Sequence, residues 1–438
     1  MLLIYAEHVS PRLQYILQVL FRDVSVLEYR LTGDKDAFLR HDGPKLNYSR
    51  QPIAEKEFFL PAAGLLAETG ISAQALTVQH AQDYPYFFDT RGGDFPFDVF
   101  AASFYLVSRY EEYLPHNRDR YGRYDHRQSL TFREGFLDRP LVNEWMKAFR
   151  QALRARFPGI FMPEPVFRFE TTYDIDVAFA YRFRGLPRLA GGWMRDLLQG
   201  RLQVIAQRLR VAAGKERDPY DVFEWLDALH LRYRLKPVYF FLLAARQHGY
   251  DKNIDPRYPA FRELVSYHGM GYALGLHPSW QSGDDDTLFQ SEKALLESLA
   301  AKEISRSRQH YIRLTLPATY RKLCATGITD DYSMGYGGIN GFRASIATPH
   351  PWYDLSTETS TPLCIHPFCF MDANARFEEG LTPAQAFEQL TALHDRVKKA
   401  GGTLSTIFHN TFLGTHPDYT GWRDVYALFL EEVVYWDV

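Results

Sequence analysis

The stretch VFRFETTYDID, residues 166–176, brings a run of aromatic and β-branched side chains up to two carboxylates, Asp174 and Asp176. Such a run predicts a strand. Residues i and i+2 of a strand face the same side, so both carboxylates face one site at the strand's end. Two close carboxylates are costly unless a cation lies between them or one keeps its proton. A metal ligand beside a general base meets that constraint; a solvated pair of turn aspartates is the plain alternative.

Downstream, further strand-like runs alternate with helical stretches: KPVYFFLLA (236–244), GYALGLH (271–277), ISRSRQHYIRL (304–314), GITDDYS (327–333), TPLCIHPFCFMD (361–372) and GTLSTIFHN (402–410). This rhythm implies βα units and a parallel sheet. Nearly every run carries its chemically able residues at its C-terminal end, where the loops of a β/α barrel converge. The expected class is therefore α/β, with a (β/α) barrel of seven or eight strands, regular or distorted. The boundary before it is FPGIFMPEPVF (157–167), whose three prolines break helices and favour extended chain. Residues 1–162 then form a smaller α/β N-terminal domain and residues 163–438 the barrel.

The N-terminal part opens with a strand in LLIYA (2–6). A buried helix is expected over Asp98–Leu114 and another over Leu141–Phe157. Between them PHNRDRYGRYDHRQS (115–129) is dense in Arg, Asp, His and Tyr. It reads either as a basic rim over the barrel mouth, holding a phosphate or carboxylate of a substrate, or as an inter-domain ion-pair network. A basic insert at about 182–217 places Met194, Leu197, Leu198, Ile205 and Leu209 at roughly helical spacing. It is expected to be a helical pair packed on the barrel, or a basic face making peripheral contact with anionic lipid or a lipid-linked glycan.

Over 438 residues, hydrophobic side chains make up 46%, charged ones 24% and aromatics 15%, the profile of a globular protein. Fifty basic and 53 acidic residues leave a net charge of −3, which gives no support for general nucleic-acid binding. Cys324, Cys364 and Cys369 form neither a disulfide framework nor a C-x-x-C pattern. The opening MLLIYAEHVSPRLQ lacks a basic, long-apolar, cleavable leader, and the longest apolar run, Val238–Ala245, is far short of the ~20 residues of a membrane span. A cytoplasmic location is the expectation.

Three more strand ends carry candidate groups. His277 in GLHPSW is a metal ligand or a packed core histidine. Arg308 and His310 in SRQHY are expected to share one strand face. His409 in FHN, at the end of the last strong strand, suits a general acid. Trp280, Trp352 and Tyr336 are candidate platforms for stacking a sugar.

Taken in order, these motifs resemble the polysaccharide deacetylases of the NodB homology type, carbohydrate esterase family four. TYDID stands where that family has a T-F-D-D-like strand end, GLHPSWQ where it has H-[ST]-x-x-x-H, Arg308 and Tyr311 where it has an R-x-P-Y-like motif, and Phe408-His409 at its final Leu-His. The run GFRASIATPHPWYDL (341–355) and the strand LCIHPFCFMD also resemble its later region, so the likeness spans about residues 167–434.

The resemblance implies Asp174 as catalytic base, Asp176 and His277 as metal ligands, Arg308 orienting the base and His409 protonating the leaving amine. The family's second ligand histidine is absent, since Gln281 stands four residues after His277. His310 is the expected replacement, which would restore an Asp–His–His set. Trp280, Tyr311, Arg343 and Asn410 are candidate substrate contacts. The implied cofactor is a divalent metal, zinc first, and the implied substrate a carbohydrate or glycan precursor losing N-acetyl groups. The alternative is a barrel without catalysis that binds glycans or acts as a scaffold, which the Gln281 departure would favour.

Overall fold

The computed structural model describes residues 1–80, 83–183 and 186–434. Near the N-terminus, β1 (Leu2–Ala6), β2 (Tyr29–Thr32), β3 (Lys45–Ser49) and β4 (Phe58–Pro61) form a parallel sheet in the order β2-β1-β3-β4. A small antiparallel ribbon follows, β5 (Gln79–His80) with β6 (Pro85–Tyr86). The helix expected over Asp98–Leu114 runs only from Val99 to Val107. Arg109 takes a left-handed φ of 55°, and a short turn, Tyr110–Tyr113, continues the chain. The next helix, Leu141–Arg156, buries Trp145, Met146, Phe149 and Leu153 at three- and four-residue spacing, as an amphipathic helix on a core must.

The second sheet has nine strands: β7 (Arg168–Ile175), β8 (Val238–Leu242), β9 (Ala273–His277), β10 (Arg306–Ser307), β11 (Asp330–Asp331), β12 (His350–Asp354), β13 (Thr359–Ile365), β14 (Phe370–Met371) and β15 (Thr403–His409). Their order is β12-β13-β11-β10-β9-β8-β7-β15-β14, parallel throughout except for the antiparallel β12–β13 pair. From β7 to β11 consecutive strands lie side by side with helices between them, so the fold is mixed α/β. Among the described residues no ladder joins the two edge strands. The long run TPLCIHPFCFMD divides into β13 and β14. The run ISRSRQHYIRL pairs over two residues only.

The apolar core runs without interruption from Leu2 and Ile4 of the first sheet, through Phe100 and Trp145, to Tyr173, Phe241 and Phe408 of the second. The central strand β8 is buried along its whole length, as expected of a parallel strand covered on both faces. After β7 the chain forms two helices, Leu186–Leu198 and Leu202–Ala212, the pair expected in the basic insert. The second packs Val204 and Val211 against Ala180 and Tyr181. Among the described residues, no helix is long and apolar enough to cross a membrane.

Candidate active site and metal centre

Register brings the chemically able residues together. Asp174 at the end of β7 is the ladder partner of His409 on β15. On the other side β8 separates β7 from β9, where His277 pairs with Leu242. Ser307 of β10 lies opposite Leu276, and the next residue, Arg308, donates its backbone N–H to the Leu276 carbonyl at 3.0 Å. The C-terminal ends of five neighbouring strands thus converge on a cavity of about 420 Å³ lined by Asp174, Asp176, His277, His310, Tyr311 and His409, with other residues around them.

His310 reaches the site by another route than the expected strand face. The chain leaves β10 and turns, with Tyr311 at φ 58° and Ile312 at 53°. That turn, rather than strand alternation, aims the imidazole inward.

Asp176 is the hub. Its Oδ1 is 3.2 Å from His277 Nε2, and its Oδ2 is 3.7 Å from both His310 Nε2 and His409 Nε2. Partners on the far side of each ring fix where the protons sit. His277 Nδ1 is 2.6 Å from the Arg308 carbonyl, and His310 Nδ1 is 3.1 Å from Asp251 Oδ1. Those oxygens only accept, so each Nδ1 donates. In the neutral rings both Nε2 atoms are then bare lone pairs turned toward the carboxylate of Asp176. Asp176 Oδ1 is shut off from solvent and makes no hydrogen bond. Lone pairs facing one another at these distances require positive charge between them, a proton or a metal ion. The potential ligand atoms of Asp176, His277 and His310 lie within 4.8 Å of one another, so the set fits a divalent cation. A carboxylate or carbonyl behind each ring is the usual support of a ligand histidine.

The electrostatics agree. Burial disfavours a charged His310, yet the charges of Asp176 and Asp251 outweigh it and push the imidazole up to about 9. Burial alone would raise Asp176, but His310 and His277 hold it well below the usual carboxylate range. Positive charge is thus favoured among these groups, whether as a proton or as a metal ion.

Asp174 and His409 flank this group. Arg308, wholly buried, donates from Nη1 to Asp174 Oδ1 at 2.7 Å and from Nε to the Tyr332 carbonyl at 3.0 Å. Its guanidinium lies 4.3 Å above the ring of Phe240. Gly275 makes that stack possible, since a Cβ there would meet Phe240 at 2.3 Å. The carboxylate of Asp372 receives the His409 backbone N–H at 2.7 Å and its Nδ1–H at 2.6 Å. Burial opposes charge on His409, but Asp372 outweighs it and raises the imidazole to about 10.

The model of a family of unknown function, DUF7033, matches residues 2–158. No curated protein sequence matches the chain. Two solved structures are similar to it. One is a protein provisionally described as a polysaccharide deacetylase from Mycobacterium smegmatis, 14% identical, with a TM-score of 0.38 over 61% of this chain and 85% of that one. The other is a polysaccharide deacetylase from Bacillus cereus, 11% identical, with a TM-score of 0.29 over 61% and 88%.

The candidate substrate contacts separate. Tyr311 lines the cavity. Trp280 stands behind the wall, its ring 5.7 Å from Tyr311 and 6.1 Å from Tyr121. Asn410 is buried just beyond the site and donates to the carbonyls of Val177 and Tyr220, fixing two loops. Arg343 does not reach the cavity. It is 1% exposed and forms a two-pronged pair with Glu112, at 2.8 and 2.5 Å, beside Arg109. Tyr336 is buried next to Arg109, and Trp352 packs on Tyr320, so neither is a sugar platform.

Asp251 lies in a segment without a motif, and Asp372 ends the run 361–372; neither is singled out by the sequence, yet each holds an imidazole of the site. From the N-terminal half, Arg120, Tyr121 and Arg123 line the cavity, and Arg123 donates to the Tyr311 carbonyl at 2.7 Å. The basic stretch 115–129 therefore supplies part of the wall. It also holds local ion pairs, such as Arg123–Asp119 and Arg127–Asp125.

Proposed function

We propose that this chain is a divalent-metal-dependent amide hydrolase that removes N-acetyl groups from a sugar or glycan precursor. The observation that carries the proposal is the convergence of Asp176, His277 and His310 with Asp174 and His409 in one cavity. Asp176, His277 and His310 would hold the metal, zinc being the first choice for a carboxylate and two imidazoles. When bound, such an ion supplies Lewis acidity toward a carbonyl oxygen.

The remaining chemistry falls to the protein. Asp174, oriented by Arg308, accepts a proton from the attacking water. His409 holds its proton at Nε2 because Asp372 stabilises the imidazolium, and it delivers that proton to the departing amine. Tyr311 and Tyr121 offer ring faces to a sugar, and Arg120 suits an anionic substituent at the mouth. In this account residues 163–438 form a distorted β/α barrel of the deacetylase kind, residues 1–162 form a separate domain that completes its rim, and the protein acts in the cytoplasm.

The test is release of acetate and free amine from N-acetylated amino-sugar oligomers. Asp174→Asn is expected to lower kcat by roughly 10²–10⁴-fold. Absence of acetate release by the metal-supplemented wild type, or undiminished kcat in Asp174→Asn, would refute the hydrolase.

A further inference from the structure

Among the described side chains of the helix Leu186–Leu198, the one fully buried is charged. Asp196 is fully buried, with Oδ2 2.9 Å from Arg208 and Oδ1 3.5 Å from Arg201. Met194, Leu197 and Leu198 point outward and are 60%, 65% and 79% exposed. The following helix continues the pattern. It buries Val204, Gln207, Arg208 and Val211 and leaves Leu202 and Leu209 at 72% and 55% exposure. Large apolar side chains clustered on the outer surface of a hairpin, over an inner face where Asp196, Gln207 and Arg208 share the burial with Val204 and Val211, depart from the arrangement expected of helices that merely pack on a domain.

Charge indicates what covers this face. Residues 182–217 carry nine basic side chains and two acidic ones in a chain whose total is −3; Arg208 is buried on Asp196, and Arg201, Arg210 and Arg217 pair with Asp418, Glu216 and Glu224. Arg195, beside the exposed leucines, keeps 63% of its side-chain surface. An apolar ridge flanked by cations matches the interface of an anionic bilayer, which takes leucines among its acyl chains and arginines at its phosphates. A second copy of the same face is disfavoured by like charge.

Position gives the face a purpose. The hairpin lies in the connection between β7, which leads into Asp176, and β8. Its inner side is tied to the loop that walls the cavity: Gln207 donates to the Thr415 carbonyl at 3.1 Å, and Arg201 pairs with Asp418. Thr411, Phe412 and Tyr419 of that loop line the cavity.

We infer that the 186–212 hairpin docks the protein on an anionic membrane surface beside the mouth of its cavity. If the hydrolase proposal above also holds, the substrate class is a glycan carried on a membrane lipid. Docking itself does not depend on that proposal and is measured without substrate.

The full-length protein is sedimented with phosphatidylcholine vesicles, with and without about 30% phosphatidylglycerol. Binding is expected to the anionic vesicles and to weaken with added salt. The double variant Leu197→Glu, Leu198→Glu is expected to partition at least roughly tenfold less, with Tm unchanged because both side chains already face water. Arg195→Glu with Arg210→Glu should remove the preference for the anionic lipid. A wild type that ignores both vesicle types, or a Leu197/Leu198 variant that binds as well as wild type, overturns the inference. So does a concentration-dependent dimer that this double variant dissolves, which would give the face to a second copy.

Discussion

His310 and Asp251 form a hydrogen-bonded pair that aims an imidazole at Asp176: Nδ1 lies 3.1 Å from Asp251 Oδ1, and Nε2 lies 3.7 Å from Asp176 Oδ2. Gln281, which stands where a second ligand histidine was sought, donates to the other oxygen of Asp251 at 3.2 Å. The glutamine thus braces the carboxylate behind His310, the residue proposed as the replacement ligand. Asp251→Asn keeps the volume and removes the charge. It is expected to weaken metal binding by about 10–100-fold, the usual effect of losing a partner behind a ligand histidine. Titration of metal into the apo protein, read by calorimetry, measures it.

Asp372 should govern proton delivery. With it neutralised in Asp372→Asn, His409 loses the charge that keeps it protonated, and kcat is expected to fall roughly a hundredfold while KM stays close to wild type. Steady-state kinetics on one N-acetylated oligomer separates the two. A rise in KM alone would place Asp372 in substrate binding.

Tyr121 tests whether the N-terminal half meets substrate. Its ring lies 5.4 Å from Tyr311, and both line the cavity. Tyr121→Ala is expected to raise KM about tenfold with kcat nearly unchanged, the mark of binding energy shared by ground and transition states. Equal KM values would confine substrate contacts to the second sheet and its loops.

Glu112 joins the two halves through a buried charge cluster. Burial works against its ionisation, but Arg343 and Arg109 hold the carboxyl down from 4.5 to about 2. A depressed carboxyl stabilises the fold above its ordinary pKa and loses that contribution as pH falls toward the depressed value. Unfolding free energy should therefore decline between about pH 4.5 and 2. Glu112→Gln leaves the buried Arg343 without its counter-charge and Arg109 with Glu111 alone, and is expected to cost about 3–5 kcal/mol near neutral pH. Its acid slope over that range should be shallower than that of the wild type. Urea denaturation across the pH range checks both.

Much of the site could be read from the chain because its residues end strands. Asp174, Asp176, His277 and His409 each follow a run of apolar and β-branched residues, and parallel register carries such ends to one side of a sheet. His310 was found by residue type, but its geometry was misjudged: β10 pairs over only two residues, and left-handed backbone at Tyr311 and Ile312 makes the turn. Asp251 left no signal, because a carboxylate behind an imidazole needs only proximity, which no local spacing encodes; Asp372 ends a named strand run, but its role behind His409 is equally a matter of proximity. Arg343 misled for a related reason. Its partner Glu112 is 231 residues earlier, and nothing in either neighbourhood announces the pairing.

The central claim is that Asp176, His277 and His310 hold a divalent metal, and metal stoichiometry tests it most directly. Purified wild type, Asp176→Ala and His310→Ala are equilibrated with zinc, freed of excess ion, and analysed by inductively coupled plasma mass spectrometry. The account predicts about one ion per wild-type chain and close to none in either variant. Wild type carrying no more metal than Asp176→Ala would contradict it.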